Sequence, residues 1–282
     1  MPKTDVLIGA HVSGGIADCI DSAEAIGART IQIFGASPRM WRTKMPSEHD
    51  VLEYKKKLKA SSVQSVYLHA AYLVNLASSS ADIYAFSAQS LADHLTIAEM
   101  IGAEGLIFHL GSSKGGERDE AFTKEVAAIK KVLQLVPGKA SLIMENAAGG
   151  GDKIGADIAD IARLFREVNS PRLKVCYDTA HGFEAGLVHS YTKESVTNLF
   201  DEFDKAIGIE NLVAIHANDS KTETGSNHDK HENIGEGYIG LSGFKALAGD
   251  ARLHDKAWLL EVPGFDEMGP DKKNIEILKS CF

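Results

Sequence analysis

The stretch LVAIHANDSKTETGSNHDKHENIGEGYIG, residues 212–240, carries the pattern that organises the rest of the sequence. It begins as a short apolar run of strand character, which stops at His216 and gives way to a polar loop with four glycines. Asp229 and His231 stand two residues apart in this loop, so in an extended backbone both side chains leave the same face and can hold one ion. A histidine that ends a strand is often only a half-buried ring, so the metal hypothesis depends on whether the pattern recurs along the chain.

Seven other short apolar runs also have strand character, and helical patterns fill most of the gaps between the runs. Eight strands that alternate with helices at intervals of a few tens of residues are typical of a closed (β/α)8 TIM barrel. An open doubly wound sheet would normally have a G-x-G-x-x-G turn after its first strand, and HVSGGI does not match that motif. We therefore predict an α/β TIM barrel with its site at the C-terminal ends of the strands.

The predicted elements follow from these runs and from cap residues. The predicted strands are 5–12, 30–34, 65–69, 105–110, 141–145, 173–177, 212–216 and 257–261. The predicted helices are 16–26, a helix capped by Ser47 that runs to about residue 60, 81–100, 118–135, 155–168, 191–207, 242–248 and 274–279.

The bulk properties of the chain fit one barrel-sized domain. With 282 residues, 44% hydrophobic content and no Pro/Ser linker, we predict a single domain over residues 1–282. The N-terminus lacks a basic region that leads into a long apolar run, and no run approaches the roughly 18 apolar residues that would span a bilayer. We therefore expect a cytoplasmic protein without a membrane partner, acting as a monomer without an obligate protein partner.

Cysteine placement and net charge limit which kinds of metal-binding or nucleic-acid-binding site the chain can have. Cys19, Cys176 and Cys281 are far apart and outside any C-x-x-C spacing, which disfavours a disulfide framework and a thiolate zinc site. Any metal must therefore be bound by nitrogen and oxygen. The formal charge of −9 argues mildly against nucleic-acid binding, but this argument weakens if some of the acids bind cations.

Six of the eight predicted strands end in a residue that can bind a metal. These strand-end residues are His69, His109, Glu145, Asp178 with His181 just beyond it, His216 and Glu261. Each of them singly has an ordinary explanation as a core histidine, a capping acid or a salt-bridge partner. Together they would place several carboxylates on one rim, where uncompensated charges repel one another and raise their pKa values. Bound cations would resolve this conflict.

With Asp229 and His231 added, the sequence offers nine candidate ligands, four of them carboxylates. At about three protein ligands per catalytic zinc ion and one bridging carboxylate, nine ligands suit about three ions. Histidines and carboxylates without thiolate suit Zn²⁺, and Mn²⁺ remains open. Such a cluster is suited to phosphoester hydrolysis. The histidines in polar or helical surroundings are expected at the surface, namely His94, His189, His228 and His254.

Several blocks of the sequence resemble the endonuclease IV family of apurinic/apyrimidinic endonucleases. The blocks are HAAYLVNLAS at 69–78, LIFHLGSS at 106–113, MENAAGGG at 144–151, VCYDTAHGFEAG at 175–186 and HANDSKTETGSNHDKHENIGEG at 216–237. IGAHVSGG and FGASPRMW near the N-terminus and LLEVPG at 259–264 extend the resemblance over nearly the whole chain. The D-T-x-H and D-x-H-E-N-I-G-E-G blocks are highly specific.

The resemblance implies a trinuclear zinc hydrolase that cuts double-stranded DNA on the 5′ side of an abasic site and leaves a 3′-hydroxyl. By analogy with the family, His69 and His109 share one ion with Glu145, which bridges to a second ion held by Asp178, His216 and Glu261. The ligands implied for the third ion are His181, Asp229 and His231. The resemblance also marks Glu145 and Glu261 as the catalytic residues, and implies that Arg39 and Tyr72 enter the duplex around the flipped lesion.

The chain departs from the family pattern at Ala71, Ala147, Gly150 and Ala180, none of which is a predicted ligand. Two other interpretations remain open from the residues. A sugar isomerase of the xylose isomerase type also places histidine and carboxylate ligands on a barrel rim, but it uses two ions and does not need His181, Asp229 and His231. A barrel that binds damaged DNA without cutting it is the second alternative.

Overall fold

The sheet closes as the sequence predicts. The computed structural model describes residues 6–282, and in them eight parallel strands form one closed barrel. Each strand pairs with its neighbours in chain order, and β1 (Leu7–His11) pairs with β8 (Ala257–Leu260) to close the sheet. The predicted TIM barrel is therefore confirmed.

The elements lie close to their predicted bounds. The other barrel strands are β2 (Thr30–Phe34), β3 (Ser65–His69), β4 (Gly105–His109), β5 (Ser141–Glu145), β6 (Leu173–Asp178) and β7 (Leu212–His216). The helices of the described residues are α1 (Gly15–Ile26), α2 (Glu48–Ala60), α3 (Ala81–Ile101), α4 (Arg118–Leu135), α5 (Ile158–Val168), α6 (Thr179–Glu184), α7 (Lys193–Ile207), α8 (Gly240–Ala248) and α9 (Lys272–Lys279). Ser47 caps α2 as predicted, because its hydroxyl accepts a hydrogen bond from the Asp50 N–H.

The differences from the predicted bounds are small. Strands β1, β4 and β8 each end one residue earlier than predicted, β6 runs one residue further, to Asp178, and helix α5 begins three residues later, at Ile158. The first strand begins at Leu7, and its predicted beginning at residue 5 lies outside the described residues. Across residues 6–282, no helix combines the length and the apolar character that crossing a membrane requires.

Helix α6 was not predicted from the sequence. It has only six residues, which is too short for a periodic apolar pattern to stand out. Its N-cap is Asp178, whose Oδ1 accepts a hydrogen bond of 2.8 Å from the His181 N–H. The D-T-x-H motif is therefore the first turn of a helix, and this turn places His181 beside the end of β6.

Alternation along the strands divides the core into two layers. In β4, Leu106 and Phe108 face outward into the large apolar cluster that packs against the helices, whereas Ile107 faces into the barrel. The inner layer is a small group of buried side chains, namely Tyr67, Ile107, Ile143, Cys176, Ala214, Ala257 and Leu259. Because the interior is filled here, the space above this layer is where a site can form.

One of the four histidines expected at the surface is buried. His94 lies on α3 with 1% of its surface exposed, and its Nδ1 is 2.8 Å from the Ser90 carbonyl oxygen. The prediction for His94 is therefore wrong, because the helix is covered by neighbouring elements on the side that carries this ring. His189 and His228 are exposed as predicted, and His254 is half-buried with its Nε2 2.7 Å from the Ala248 carbonyl oxygen.

Glu125 on α4 generates a prediction about stability. Its side chain is fully buried, and neither carboxylate oxygen has a hydrogen-bond partner in the described structure. Burial, reinforced by the negative charge of Asp160, raises the pKa of Glu125 well above its usual value, against the opposing effect of Arg118. The native state therefore keeps a proton that the unfolded chain loses above about pH 4.5, so this group lowers stability as pH rises above that value.

We expect Glu125→Leu to stabilise the protein by about 1–3 kcal/mol at pH 8, because it removes an unsatisfied buried group, and to have a smaller effect near pH 4.5. Urea unfolding of both proteins at the two pH values measures the change. The exposed Glu120→Gln on the same helix is the control and should change stability little at either pH. A stability difference between Glu125→Leu and the parent that does not depend on pH would contradict this account.

Candidate metal centre

The positions of the predicted ligands follow from strand alternation. Each strand-end residue comes two positions after a residue of the inner layer, as His109 does after Ile107 and Glu145 after Ile143. The same spacing holds for His69, Asp178, His216 and Glu261. Side chains two residues apart lie on the same face of a strand, so all six point into the barrel, directly above the inner layer. The structure brings together all six residues that the sequence singled out at strand ends.

The first group of potential ligands is formed by His69, His109 and Glu145, whose ligand atoms lie within 4.8 Å of one another. His69 Nε2 is 3.1 Å and His109 Nδ1 is 3.7 Å from Oε2 of Glu145. The other ring nitrogen of His69 lies 2.9 Å from the Ala70 carbonyl oxygen, which fixes Nδ1 as the donor. Nε2 of His69 is therefore the nitrogen left with a lone pair for a cation.

The second group lies around the other oxygen of Glu145 and adds Asp178, His216 and Glu261, again with ligand atoms within 4.8 Å. His216 Nδ1 is 3.0 Å from Glu145 Oε1, 3.2 Å from Glu261 Oε2 and 3.7 Å from Asp178 Oδ2. Glu145 thus has one oxygen in each group. This is the geometry that a carboxylate shared between two cations requires.

The third group is formed by Asp178, His181 and His231, with Asp229 at its edge. Asp229 Oδ1 is 3.3 Å from His181 Nε2 and 3.6 Å from His231 Nε2. Both of these nitrogens are buried and lack a hydrogen-bond partner in the described structure. Two buried imidazole nitrogens that face one carboxylate without a well-formed hydrogen bond are what a cation site needs, so the residues present fit a metal.

The charges in this region balance one another across the groups. Burial acts to raise the pKa of Glu145, but the facing His109 and His216 hold it well below its usual range. Burial acts to lower the pKa of His216, but Cys176, Glu261 and Glu145 raise it well above its usual value, and Asp178 does the same for His181. These imidazoles hold protons where a cation would bind, so a cation must displace protons to enter.

Four polar residues that the sequence analysis missed hold the predicted ligands in place: His11, Gln32, Asn146 and Asn218. Asn146 Oδ1 accepts a 2.6 Å hydrogen bond from the Asp178 N–H, and Asn218 Nδ2 donates one of 2.8 Å to Asp178 Oδ2. The Glu261 N–H donates to Asn218 Oδ1 at 2.7 Å. Strand alternation could have pointed to His11, which ends β1. Gln32 lies in the middle of β2, and no sequence pattern marks its amide as part of a metal site.

The groups lie at the base of a cavity of about 860 Å³ that opens beyond the strand ends. Its wall includes His69, His109, Glu261 and the predicted DNA-binding Tyr72, which is 66% exposed. The Tyr72 ring packs edge-on against Phe34 at 5.4 Å between centroids. Arg39 is exposed in the loop after β2. Tyr72 therefore stands at the side of the cavity with most of its surface exposed.

Comparisons with known proteins show which proteins this chain is similar to. The family model that describes a xylose isomerase-like TIM barrel matches residues 20–281. A protein of Halothermothrix orenii named probable endonuclease 4 is 33% identical over 275 residues, covering 96% of this chain and 99% of that protein. The crystal structure of endonuclease IV from Thermus thermophilus matches with a TM-score of 0.85 at 33% identity, over 97% of this chain and 98% of that one.

A D-tagatose 3-epimerase-like protein also has a similar structure, with a TM-score of 0.73 at 18% identity over 97% of this chain and 96% of that one. At this level of identity the likeness concerns the barrel alone. A sugar-converting activity therefore gains no support from the shared fold, because the same barrel carries many chemistries.

The proton balance of the site leads to a second prediction. We expect Zn²⁺ added to metal-free protein at pH 7 to release protons, because the raised pKa values of His216 and His181 keep protons on nitrogens that must be bare to ligate. Metal affinity should accordingly fall as pH falls. Titration calorimetry in two buffers of different ionisation enthalpy measures the number of protons released.

His181→Gln should release fewer protons than the parent, whereas the exposed His189→Gln should match the parent. Binding of Zn²⁺ without proton release at pH 7 would show that these histidines are not displaced by the metal.

Proposed function

This chain belongs to the endonuclease IV family of apurinic/apyrimidinic endonucleases, and from this premise we propose that it hydrolyses the phosphodiester on the 5′ side of abasic sites in double-stranded DNA, leaving a 3′-hydroxyl. The observation that carries the proposal is the convergence of predicted ligands on Glu145 at the base of an open cavity. Family membership makes the chain a deoxyribonuclease of DNA repair. The position of the cut and its product are our inference from the site.

We propose that nine residues of the site hold about three zinc ions. His69, His109 and Glu145 would hold the first, and Glu145 with Asp178, His216 and Glu261 the second. His181, Asp229 and His231 would hold the third, with Asp178 adjacent. Bound zinc supplies Lewis acidity toward phosphate oxygens and lowers the pKa of water. Mn²⁺ in some positions is compatible with the same nitrogen and oxygen donors.

The two catalytic glutamates have different tasks in this proposal. Glu145 is fully buried, and its two oxygens contact histidines of different groups, so it keeps those groups at a set separation. Glu261 lines the cavity, so it borders the space in which the scissile phosphodiester must lie. Placing the phosphodiester against these pre-positioned residues supplies orientation, which is a large part of the barrier in phosphoryl transfer.

The surroundings of the cavity suit a flipped abasic nucleotide. Tyr72 is exposed beside the cavity and Arg39 in the loop after β2, and we propose that both enter the duplex. A second cavity of about 510 Å³ adjoins the first and is lined by Trp41, Lys114 and Lys153 among others. About three divalent cations would offset some six of the nine net negative charges of the chain, so the acidic composition does not oppose DNA binding.

The direct test is incision of a duplex that carries one tetrahydrofuran abasic analogue, by protein of known metal content. The analogue cannot undergo β-elimination, so lyase chemistry cannot imitate hydrolysis. We expect cleavage on the 5′ side of the analogue, its loss on chelation, and about three zinc ions per chain. Absence of incision by fully metal-loaded protein would overturn the proposal and leave a non-cleaving barrel or a sugar isomerase to be tested.

Glu145→Gln tests the shared carboxylate. We expect it to lower both metal content and incision by more than about 100-fold. Loss of a residue that only hydrogen-bonds to a ligand typically costs about 10- to 100-fold, and loss of a ligand itself should cost more. Glu104→Gln is the matched control, because Glu104 is exposed and directly precedes β4, at the opposite end of the barrel. Parent-like incision by Glu145→Gln would rule out the shared role.

Tyr72→Ala tests the proposed contact with DNA. Loss of an aromatic stacking surface typically costs about 1–3 kcal/mol, so we expect abasic-site affinity to fall about 5- to 150-fold while metal content stays unchanged. Fluorescence anisotropy with a labelled duplex that is already nicked beside the analogue measures this affinity, because the nicked duplex is not cut again during the titration.

Tyr238→Ala is the control for this experiment. It removes another exposed tyrosine, one outside the cavity wall, and should leave affinity unchanged. Equal affinities of the two variants would remove the insertion role from Tyr72.

A further inference from the structure

Gln32 is a fully buried amide at the centre of the site, on a strand that supplies no predicted ligand. It lies on β2, and its side chain points into the barrel, where it meets His216 and Glu261. Its amide contacts three residues that are far apart in the sequence, two of which are predicted ligands of the same ion. A buried amide costs free energy unless its hydrogen bonds are made, so the identity of these partners is informative.

The hydrogen bonds of Gln32 use both sides of its amide. Nε2 donates to Glu261 Oε1 at 2.6 Å and lies 2.9 Å from His11 Nδ1. Oε1 lies 2.8 Å from His216 Nε2. The two N–H groups and the oxygen therefore each have one partner in this arrangement.

The orientation of the amide follows from Glu261. A carboxylate that accepts hydrogen bonds must face the amide nitrogen, because the opposite orientation would place two oxygens 2.6 Å apart. The amide oxygen then faces His216, so Nε2 of His216 must be the donor. In this orientation the second amide N–H faces His11 Nδ1, which accepts it in the tautomer that carries its proton on Nε2.

This orientation decides which atoms of two ligands are available to a cation. With its proton on Nε2, His216 keeps the Nδ1 lone pair for the ion, and Nδ1 is the nitrogen that faces Glu145 and Glu261. In Glu261, Oε1 is engaged by Gln32, whereas Oε2 is the oxygen 3.2 Å from His216 Nδ1. One side chain thus prepares both residues for the same ion.

We propose that Gln32 is a positioning residue of the metal centre, which selects the ligating nitrogen of His216 and the ligating oxygen of Glu261. The inference rests on the proposed function, in that it takes these two residues as ligands of one ion. Residues that hydrogen-bond to metal ligands typically contribute about 10- to 100-fold to metal affinity or activity, because they fix the tautomer and the orientation of the ligand. Gln32 acts on two ligands, so its contribution should lie toward the upper part of that range.

The test replaces the amide with apolar side chains of similar size. Gln32→Met removes all three hydrogen bonds, and Gln32→Leu is a second variant in case one of them folds poorly. Thr30→Val on the same strand is the matched control, because Thr30 is the first residue of β2, is buried, and is hydrogen-bonded to Ser65, which is not a predicted ligand. Circular dichroism and thermal unfolding first establish that each zinc-loaded variant is folded.

The first readout is zinc affinity, measured by competition with a chromophoric chelator, together with the rate of zinc release. We expect the Gln32 variants to bind one ion about 10- to 100-fold more weakly and to release it faster, with the other ions and Thr30→Val unchanged. Folded Gln32 variants with the zinc affinity and release rate of the parent would overturn the inference.

The second readout reports the tautomer directly. In zinc-loaded protein labelled with ¹⁵N-histidine, the His216 Nε2–H should give a slowly exchanging imidazole resonance, which Gln32→Met should lose or expose to fast exchange. Persistence of that resonance with unchanged exchange would contradict the assigned hydrogen bond. If the parent binds no zinc, the proposed function fails, whereas a zinc-binding parent with parent-like Gln32 variants refutes only the role of Gln32.

Discussion

The buried carboxylate of Glu145 is the charge on which the rest of this site depends. Removed from water, a carboxylate is strongly unfavourable unless neighbours compensate it. Here the compensation comes from His69, His181 and His216, each within 3.3 Å of one of its oxygens. These histidines stand on different elements, so their approach to one carboxylate requires a closed barrel. The chemistry of the site and the closure of the fold are therefore coupled.

A layer of hydrogen bonds around the ligands makes this arrangement specific. Asn146, Asn218 and Gln32 are all fully buried, and each contacts at least one predicted ligand through its amide. Amides suit this task because they donate and accept without adding charge to a region already crowded with carboxylates. The N-cap of α6 adds a similar constraint, since Asp178 uses Oδ1 for the helix and leaves Oδ2 facing the groups.

The third group differs from the other two in the elements that carry its side chains. His69, Glu145 and His216 stand on rigid strands, whereas Asp229 and His231 come from the loop that follows β7. That loop is held by Asp219, whose carboxylate accepts hydrogen bonds from the N–H groups of Gly235, Gly237 and Ile239. A buried acid that accepts hydrogen bonds from several backbone N–H groups orders the glycine-bearing part of this loop. His231 itself is held outside the barrel sheet, in a two-residue antiparallel ladder where it pairs with Ser220.

The sequence by itself determined the barrel and six inward-facing strand ends, because strand alternation is local and is written in the spacing of apolar residues. It also indicated Asp229 and His231 through their spacing. Only the tertiary structure decided the burial of His94, the short helix α6 and the contacts of Gln32. Gln32 meets His216 and Glu261 across 184 and 229 residues of sequence. Contacts of that kind arise from barrel closure, and no local pattern encodes which distant side chains will meet an amide.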